Sequence, residues 1–125
     1  LLTSREEEVM EIFWKNKKPM TSIDILEYPV ERSWKDNYLN IMLRSLLKKN
    51  ALKICGTVRY GNQYARLFTP AFEKAEYAAK LAVSRGINDI TQVAVAMAKE
   101  LGIKADEKLI EKLDNVIKEL QEDKI

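Results

Sequence analysis

The stretch RSWKDNYLNIMLRSLLKKN, residues 32–50, combines five basic side chains and one Trp with a run of apolar residues. The apolar members fall three and four positions apart, the spacing of one helix face; they are Leu39, Met42, Leu43, Leu46 and Leu47. On the opposite face, Lys and Arg can neutralise phosphates, and Asn can pair with the edge of a base. The stretch therefore fits two interpretations, an amphipathic helix with a solvated basic side or a helix that lies against DNA.

The basic residues are concentrated in one part of the chain. The 125 residues carry a net charge of only +2, but residues 30–74 contain 9 Lys and Arg against 3 Asp and Glu. Residues 75–125 contain 8 Lys and Arg against 10 Asp and Glu. A basic block on a nearly neutral chain is typical of a nucleic-acid-binding face, although a solvated surface can have the same composition.

Few other kinds of chemistry are open to this sequence. Cys55 is the one cysteine and histidine is absent, which excludes disulfide frameworks and zinc sites and removes the usual general base. We therefore predict no enzyme activity, no metal and no cofactor, and a buried Cys55 in the strand-like stretch LKICGTV. No apolar run approaches the ~18 residues that span a bilayer, and no signal peptide opens the chain, so we expect a cytoplasmic protein.

Caps and breaks divide the chain into six helices and a hairpin. The predicted helices cover about residues 5–18, 22–28, 35–49, 72–84, 90–101 and 107–121. Ser4 is the expected cap of the first helix, with Glu7 at the capping-box distance, and Asn50 is suited to end the third helix in the left-handed conformation. Strand-forming residues flank the turn signal YGN, which predicts a hairpin with its tip at residues 59–63.

Three helices followed by a hairpin is the order of the winged helix-turn-helix fold. We predict a mostly α fold with a small β-hairpin, in which residues 1–74 form a winged helix-turn-helix DNA-binding domain and residues 75–125 a helical dimerisation region. The first two helices brace the third at the surface, where its polar face can enter a major groove about 12 Å wide. The hairpin, about residues 51–70, is then a wing that reaches the DNA backbone or the minor groove.

The predicted DNA contacts lie on the third helix and at the hairpin tip. The N-terminal turns of such a helix carry the residues that read bases. The candidates are Lys35, Asn37, Tyr38, Asn40 and Ile41 on these turns, Arg44 as a phosphate contact, Lys48 on the same face and Arg59 on the wing. Each is also compatible with ordinary solvated surface. Trp34 is expected to anchor the start of the helix in the core, and Trp14 to lie in the core or at a domain interface.

The last three helices are strongly apolar but too small to form a core alone. The segment ITQVAVAMAKEL is apolar nearly all round, and the last helix has apolar residues at alternating spacings of four and three, as in a coiled-coil seam. We predict that a second copy covers this region, because a homodimer reads a palindromic operator. The predicted dimerisation residues are Val93, Met97, Leu109, Leu113, Val116 and Leu120. The alternative is an intramolecular helical subdomain packed on the wing.

Three segments resemble one known family. LTSREEEVMEIFWKNKKPMT looks like the first helix of the penicillinase and methicillin-resistance repressors, SWKDNYLNIMLRSLLKKNAL is similar to their Trp-led recognition helix, and ARLFTP is similar to the end of their wing. The likeness covers residues 1–75, and the later helices match in number, length and apolar character. The resemblance implies a bacterial, dimeric transcriptional repressor whose partner is an operator in double-stranded DNA.

The resemblance carries over incompletely. Several family members are inactivated by proteolysis in the dimerisation region, so a regulatory protease is a candidate partner. The Asn-Phe pair cut in the resistance repressors has no counterpart around VAVAMAKEL, and the C-terminal cysteine cluster of the copper-responsive branch is absent. Tyr38 and Ile41 stand where the family commonly has Thr, and Ser45 stands where it has Arg. The operator sequence, the target genes and the inducing signal are therefore not transferred.

A protein–protein interaction module without specific DNA binding is the second interpretation. The winged-helix fold also serves protein contacts, and Tyr38 and Ile41 are more apolar than the residues they replace. One continuous face that carries Lys35, Arg44, Lys48 and Arg59 would instead favour DNA as the partner.

Overall fold

The computed structural model describes residues 1–123 and contains, within them, six α-helices and one two-stranded antiparallel sheet. The helices are α1 Ser4–Asn16, α2 Ser22–Glu27, α3 Leu39–Lys48, α4 Lys74–Ser84, α5 Ile90–Leu101 and α6 Glu107–Glu122. The strands are β1 Leu52–Tyr60 and β2 Gln63–Pro70. The predicted fold class, a mostly α winged-helix arrangement with a helical C-terminal region, is confirmed. Residues 124 and 125, at the end of the predicted dimerisation region, lie outside the described residues.

The described residues form two compact units, residues 1–85 and residues 86–123. Helix α4 belongs to the first unit, because its Tyr77 is buried and its ring lies 5.8 Å from that of Trp14 and 5.9 Å from that of Phe72. The indole N–H of Trp14 also donates a 3.0 Å hydrogen bond to the Phe72 carbonyl. The predicted division of function between residues 1–74 and 75–125 stays a prediction.

Helix α1 begins at a capping box one residue earlier than predicted. The Thr3 hydroxyl accepts a hydrogen bond from the Glu6 N–H (3.2 Å), and the Glu6 carboxylate accepts one from the Thr3 N–H (2.8 Å). Ser4 is the first helical residue rather than the cap, because Thr3 has the extended backbone that a cap requires. Thr21 and Asp24 form a second capping box at the start of α2.

The core of the first unit lies between α1, α2, α3 and the base of the hairpin. Its most deeply buried large side chains include Val9, Met10, Phe13, Met20, Ile25, Leu39 and Leu46. The predicted stripe of α3 faces this core, with Leu39, Met42, Leu43 and Leu46 buried and Leu47 partly buried. Trp34 is 3% exposed and therefore anchors the start of the third predicted helix, about residues 35–49, as predicted.

The hairpin joins β1 to β2 through Gly61 and Asn62, and Gly61 adopts the left-handed conformation (φ 59°). A bulge between Ile54 and Gly56 makes Cys55 the extra, unpaired residue of β1. Cys55 is exposed, so the prediction that it is buried is wrong. The reason is that β1 leaves the core after Leu52, where its side chains lose their cover.

The backbone of Met20 pairs with β2 and sets the position of α2. The Met20 N–H donates to the Phe68 carbonyl (2.9 Å), and the Phe68 N–H donates back to Met20 (2.8 Å). These two bonds form an isolated antiparallel β-bridge between Met20 and β2, just before α2 begins. The hairpin and the lead-in to α2 are therefore joined through their backbones.

The second unit consists of α5 and α6, which begin at the predicted caps. The Asp89 carboxylate accepts hydrogen bonds from the backbone of Thr91 and Gln92, and Asp106 accepts one from the Leu109 N–H. None of the residues 86–123 is buried. A helix as apolar as α5 is stable when most of its sides are covered by other residues. In one copy of the chain the side chains of α5 do not have the burial that the sequence predicts.

Candidate nucleic-acid interface

The recognition segment begins with a 3₁₀ turn, Asp36–Tyr38, and continues as α3. A helical segment is therefore present where one helix over residues 35–49 was predicted, but its first turn is a 3₁₀ turn rather than α-helical. Arg32 holds this start in place: its guanidinium pairs with the Asp36 carboxylate and lies 4.6 Å from the ring centre of Trp34. The buried Trp34 thus fixes the position of the exposed 3₁₀ turn that follows it.

The predicted base-reading side chains are exposed on the recognition segment. Lys35, Asn37, Asn40, Arg44 and Lys48 are exposed, and so are Tyr38 (45%) and Ile41 (57%). Asn37, Ile41, Arg44 and Lys48 follow one another at spacings of four, three and four, which places them along one ridge opposite the buried stripe. The ridge mixes amide, apolar and cationic groups, the three types that read base edges and phosphates.

The structure separates the five basic residues of the stretch 32–50 by their use. Arg32 pairs with Asp36, and Lys49 pairs with Glu6, so both belong to the internal framework. Within residues 1–123 no ion pair involves Lys35, Arg44 or Lys48. The charge that remains for an external anion is therefore smaller than the sequence count indicates.

Glu6 fixes the C-terminal end of α3 against α1. Its side chain, 4% exposed, accepts a 2.6 Å hydrogen bond from the Lys49 ammonium. Burial would raise the pKa of Glu6, but the hydrogen bonds from the Lys49 ammonium and the Thr3 N–H, together with the nearby Ser45 hydroxyl, outweigh burial and lower the pKa to about 2. Ser45, which stands where the resemblance expects Arg, therefore contacts α1 on the flank of α3, away from the exposed ridge.

Arg5 is a basic residue near this surface that the sequence did not reveal. It lies in the first turn of α1, is exposed, and its guanidinium is 5.8 Å from the ring centre of Tyr38. The packing adds a cation beside the N-terminal turn of the recognition segment. No local pattern indicates the pair, because α1 and the recognition segment meet through tertiary packing.

Arg59 lies at the hairpin tip, as predicted for the wing. Its Nε donates a 2.8 Å hydrogen bond to the Gly61 carbonyl, and its guanidinium is 6.0 Å from the ring centre of Tyr64. These contacts hold the side chain against its own turn. The tip is further tied to α2 by a 3.2 Å hydrogen bond between the hydroxyls of Tyr60 and Thr21.

A cleft of about 350 Å³ opens between α3, the start of α2 and β2. Its polar lining comes from Ser22, Asn40, Arg44 and Arg66. Arg66 was not among the predicted contacts, although strand alternation provides the signal: it lies two residues before the buried Phe68, and therefore on the same face of β2. Both arginines are exposed, and none of the ion pairs among residues 1–123 includes them.

The predicted dimerisation residues lie on α5 and α6. Val93 and Leu109 are partly buried. The others are about half exposed or more, at 57% for Met97, 48% for Leu113, 50% for Val116 and 57% for Leu120. Within a single copy, the apolar seam of α6 is therefore left open to water.

These features define a winged helix-turn-helix protein whose recognition helix carries an exposed polar and basic ridge. The chain belongs to the penicillinase repressor family, which matches residues 2–119. The family consists of DNA-binding transcriptional repressors rather than enzymes. No curated protein and no solved structure is significantly similar to the chain. None of the helices within residues 1–123 is long and apolar enough to cross a membrane.

Proposed function

We propose that the chain is a homodimeric, sequence-specific repressor that binds an operator with its recognition helix in the major groove. The observation that carries this proposal is the ridge formed by Asn37, Ile41, Arg44 and Lys48, which α1 and α2 brace at the surface. An α-helix fits the major groove, Asn can pair with adenine, and Arg and Lys can contact phosphates or guanine. Arg59 would reach the neighbouring backbone or minor groove from the hairpin tip.

The dimer is supported by the second unit. Its apolar side chains include Ile90, Met97, Leu101, Ile110 and Leu120, each between 57% and 78% exposed in one copy. A second copy of the same seam would remove this surface from water and relate two recognition helices by a two-fold axis. The proposed operator is therefore palindromic, and the proposed site of action is the bacterial cytoplasm.

Selection of duplexes from a random pool tests the proposal. The protein should enrich a palindrome, and its affinity should fall steeply with salt because phosphate neutralisation releases counterions. Arg44→Gln should weaken binding to all sequences, with Lys118→Gln on α6 as a matched charge control. Asn37→Ala and Asn40→Ala should each change sequence preference by roughly 1–3 kcal/mol per lost base contact.

The same selection tests the alternative of a protein-docking module. Exposed Tyr38 and Ile41 on the recognition segment are the observation that favours this alternative. Absence of enrichment, or binding that does not change with salt, would refute DNA recognition and leave protein docking as the better explanation.

A regulatory protease is a further proposed partner. Incubation of the protein with induced cell extract, followed by measurement of the mass of the chain, tests whether such a protease cuts it.

A further inference from the structure

We propose that Arg44 and Arg66 clamp one backbone phosphate in the cleft between α3 and β2. The inference rests on the proposed DNA-binding function and adds a contact from the body of the hairpin, distinct from the tip. It assigns Arg66 a role in positioning the recognition helix relative to the duplex.

The two arginines approach the cleft from elements whose relative positions are fixed. Arg44 lies on α3, whose opposite face is buried through Leu43 and Leu46, and Arg66 lies on β2 beside the buried Phe68. The β-bridge between Met20 and Phe68 holds this part of β2 next to α2. The cleft is therefore preorganised, and binding costs little ordering of the backbone.

The composition of the cleft suits a phosphate diester. Two guanidinium groups supply charge and paired donors, while Ser22 and Asn40 supply neutral donors. No Asp or Glu lines the cleft. Its volume of about 350 Å³ is many times the ~10–15 Å³ that one water molecule needs on the same measure, which leaves room for a phosphate and part of its sugar.

The position of the cleft links it to sequence reading. Asn40 lines the cleft and is also a predicted base contact, and Arg44 belongs to both the cleft and the ridge. A phosphate held here would fix the rotation and depth of α3 in the groove without reading sequence itself. Arg66 would thereby set the position of α3 along the duplex through a contact with the DNA backbone.

The test compares Arg66→Gln with Lys53→Gln in salt titrations on the selected duplex. Lys53 pairs with Thr69 and lies on the opposite face of the same hairpin, so it matches the charge change without facing the cleft. Arg66→Gln should lower affinity about tenfold and reduce the slope of log affinity against log salt by about 0.9 per protomer. Lys53→Gln should leave the slope unchanged. Arg66→Lys, which keeps the positive charge, should retain most of the wild-type slope.

A scan with single neutral methylphosphonates then locates the contact. The wild type should lose affinity at several phosphates per half-site, and at one of these positions both Arg44→Gln and Arg66→Gln should no longer respond to the methylphosphonate. Different positions for the two variants, or an unchanged slope for Arg66→Gln, would overturn the clamp while the repressor function stands. A wild type that binds no duplex would overturn both, and circular dichroism of each variant verifies that it is folded.

Discussion

Replacement of Glu6 by Gln should destabilise the first unit in a way that depends on pH. Glu6 is buried, caps α1 and accepts a hydrogen bond from Lys49 at the end of α3. Its pKa is about 2 in the folded chain, against an ordinary value of 4.5. At 1.36 kcal/mol per pKa unit, this difference corresponds to about 3 kcal/mol. Because the Lys49 side chain is 35% exposed and water screens its charge, we expect about 2 kcal/mol.

The sign follows from the direction of the pKa. A carboxylate whose pKa is lowered on folding stabilises the protein fully above its unfolded pKa, near 4.5, and loses this contribution as the pH falls toward about 2. Glu6→Gln should therefore lower the free energy of unfolding by about 2 kcal/mol at pH 7, and the difference from the wild type should shrink between pH 5 and pH 3.

Urea unfolding followed by tryptophan fluorescence measures this difference, because Trp14 and Trp34 both lie in the core. The protomer concentration is held constant so that association does not alter the apparent stability. Glu31→Gln is the control, since Glu31 is exposed and makes no hydrogen bond or ion pair with the rest of residues 1–123. A difference between Glu6→Gln and the wild type that stays constant from pH 7 to pH 3 would refute the ionic origin of the stabilisation.

Two further perturbations test other parts of the structure. Trp14→Phe removes the donor to the Phe72 carbonyl and should lower the free energy of unfolding by about 1–3 kcal/mol, measured by urea unfolding; no loss would show that α4 does not depend on this bond. Leu113→Asp places a charge in the open seam of α6 and should shift the protein from dimer to monomer in sedimentation equilibrium. Lys112→Asp, also on α6, is its matched control, and an unchanged dimer in Leu113→Asp would place the interface elsewhere.

Periodicity predicted the parts of the fold that depend on local burial. The stripe of α3 was predictable because a helix with five apolar residues at spacings of three and four has one face to bury, and Leu39, Leu43 and Leu46 are buried as that spacing requires. Cys55 was not predictable in the same way. Its exposure follows from the point at which β1 leaves the core, directly after Leu52, and the apolar stretch LKICGTV gives no sign of that point.

Charge counting predicted the location of the basic surface but not its composition. Arg32 and Lys49 count equally with Arg44 in the sequence, yet both are used internally. The partner of Lys49 is Glu6 on α1, a pairing that becomes visible when the helices are packed. Arg66 could have been found by alternation from Phe68, since one face of β2 continues from the core toward the cleft.

In the proposed dimer, the stability of the second unit and the affinity for DNA depend on the same surface. No side chain among residues 86–123 is buried in one copy, so α5 and α6 would gain most of their hydrophobic stabilisation from association. Association also makes the second half-site contact intramolecular, which raises affinity without any new contact to DNA. A factor that separates or cuts the second unit would therefore lower operator affinity while leaving the recognition ridge intact. Control of repression would then reside in a region outside the recognition helix.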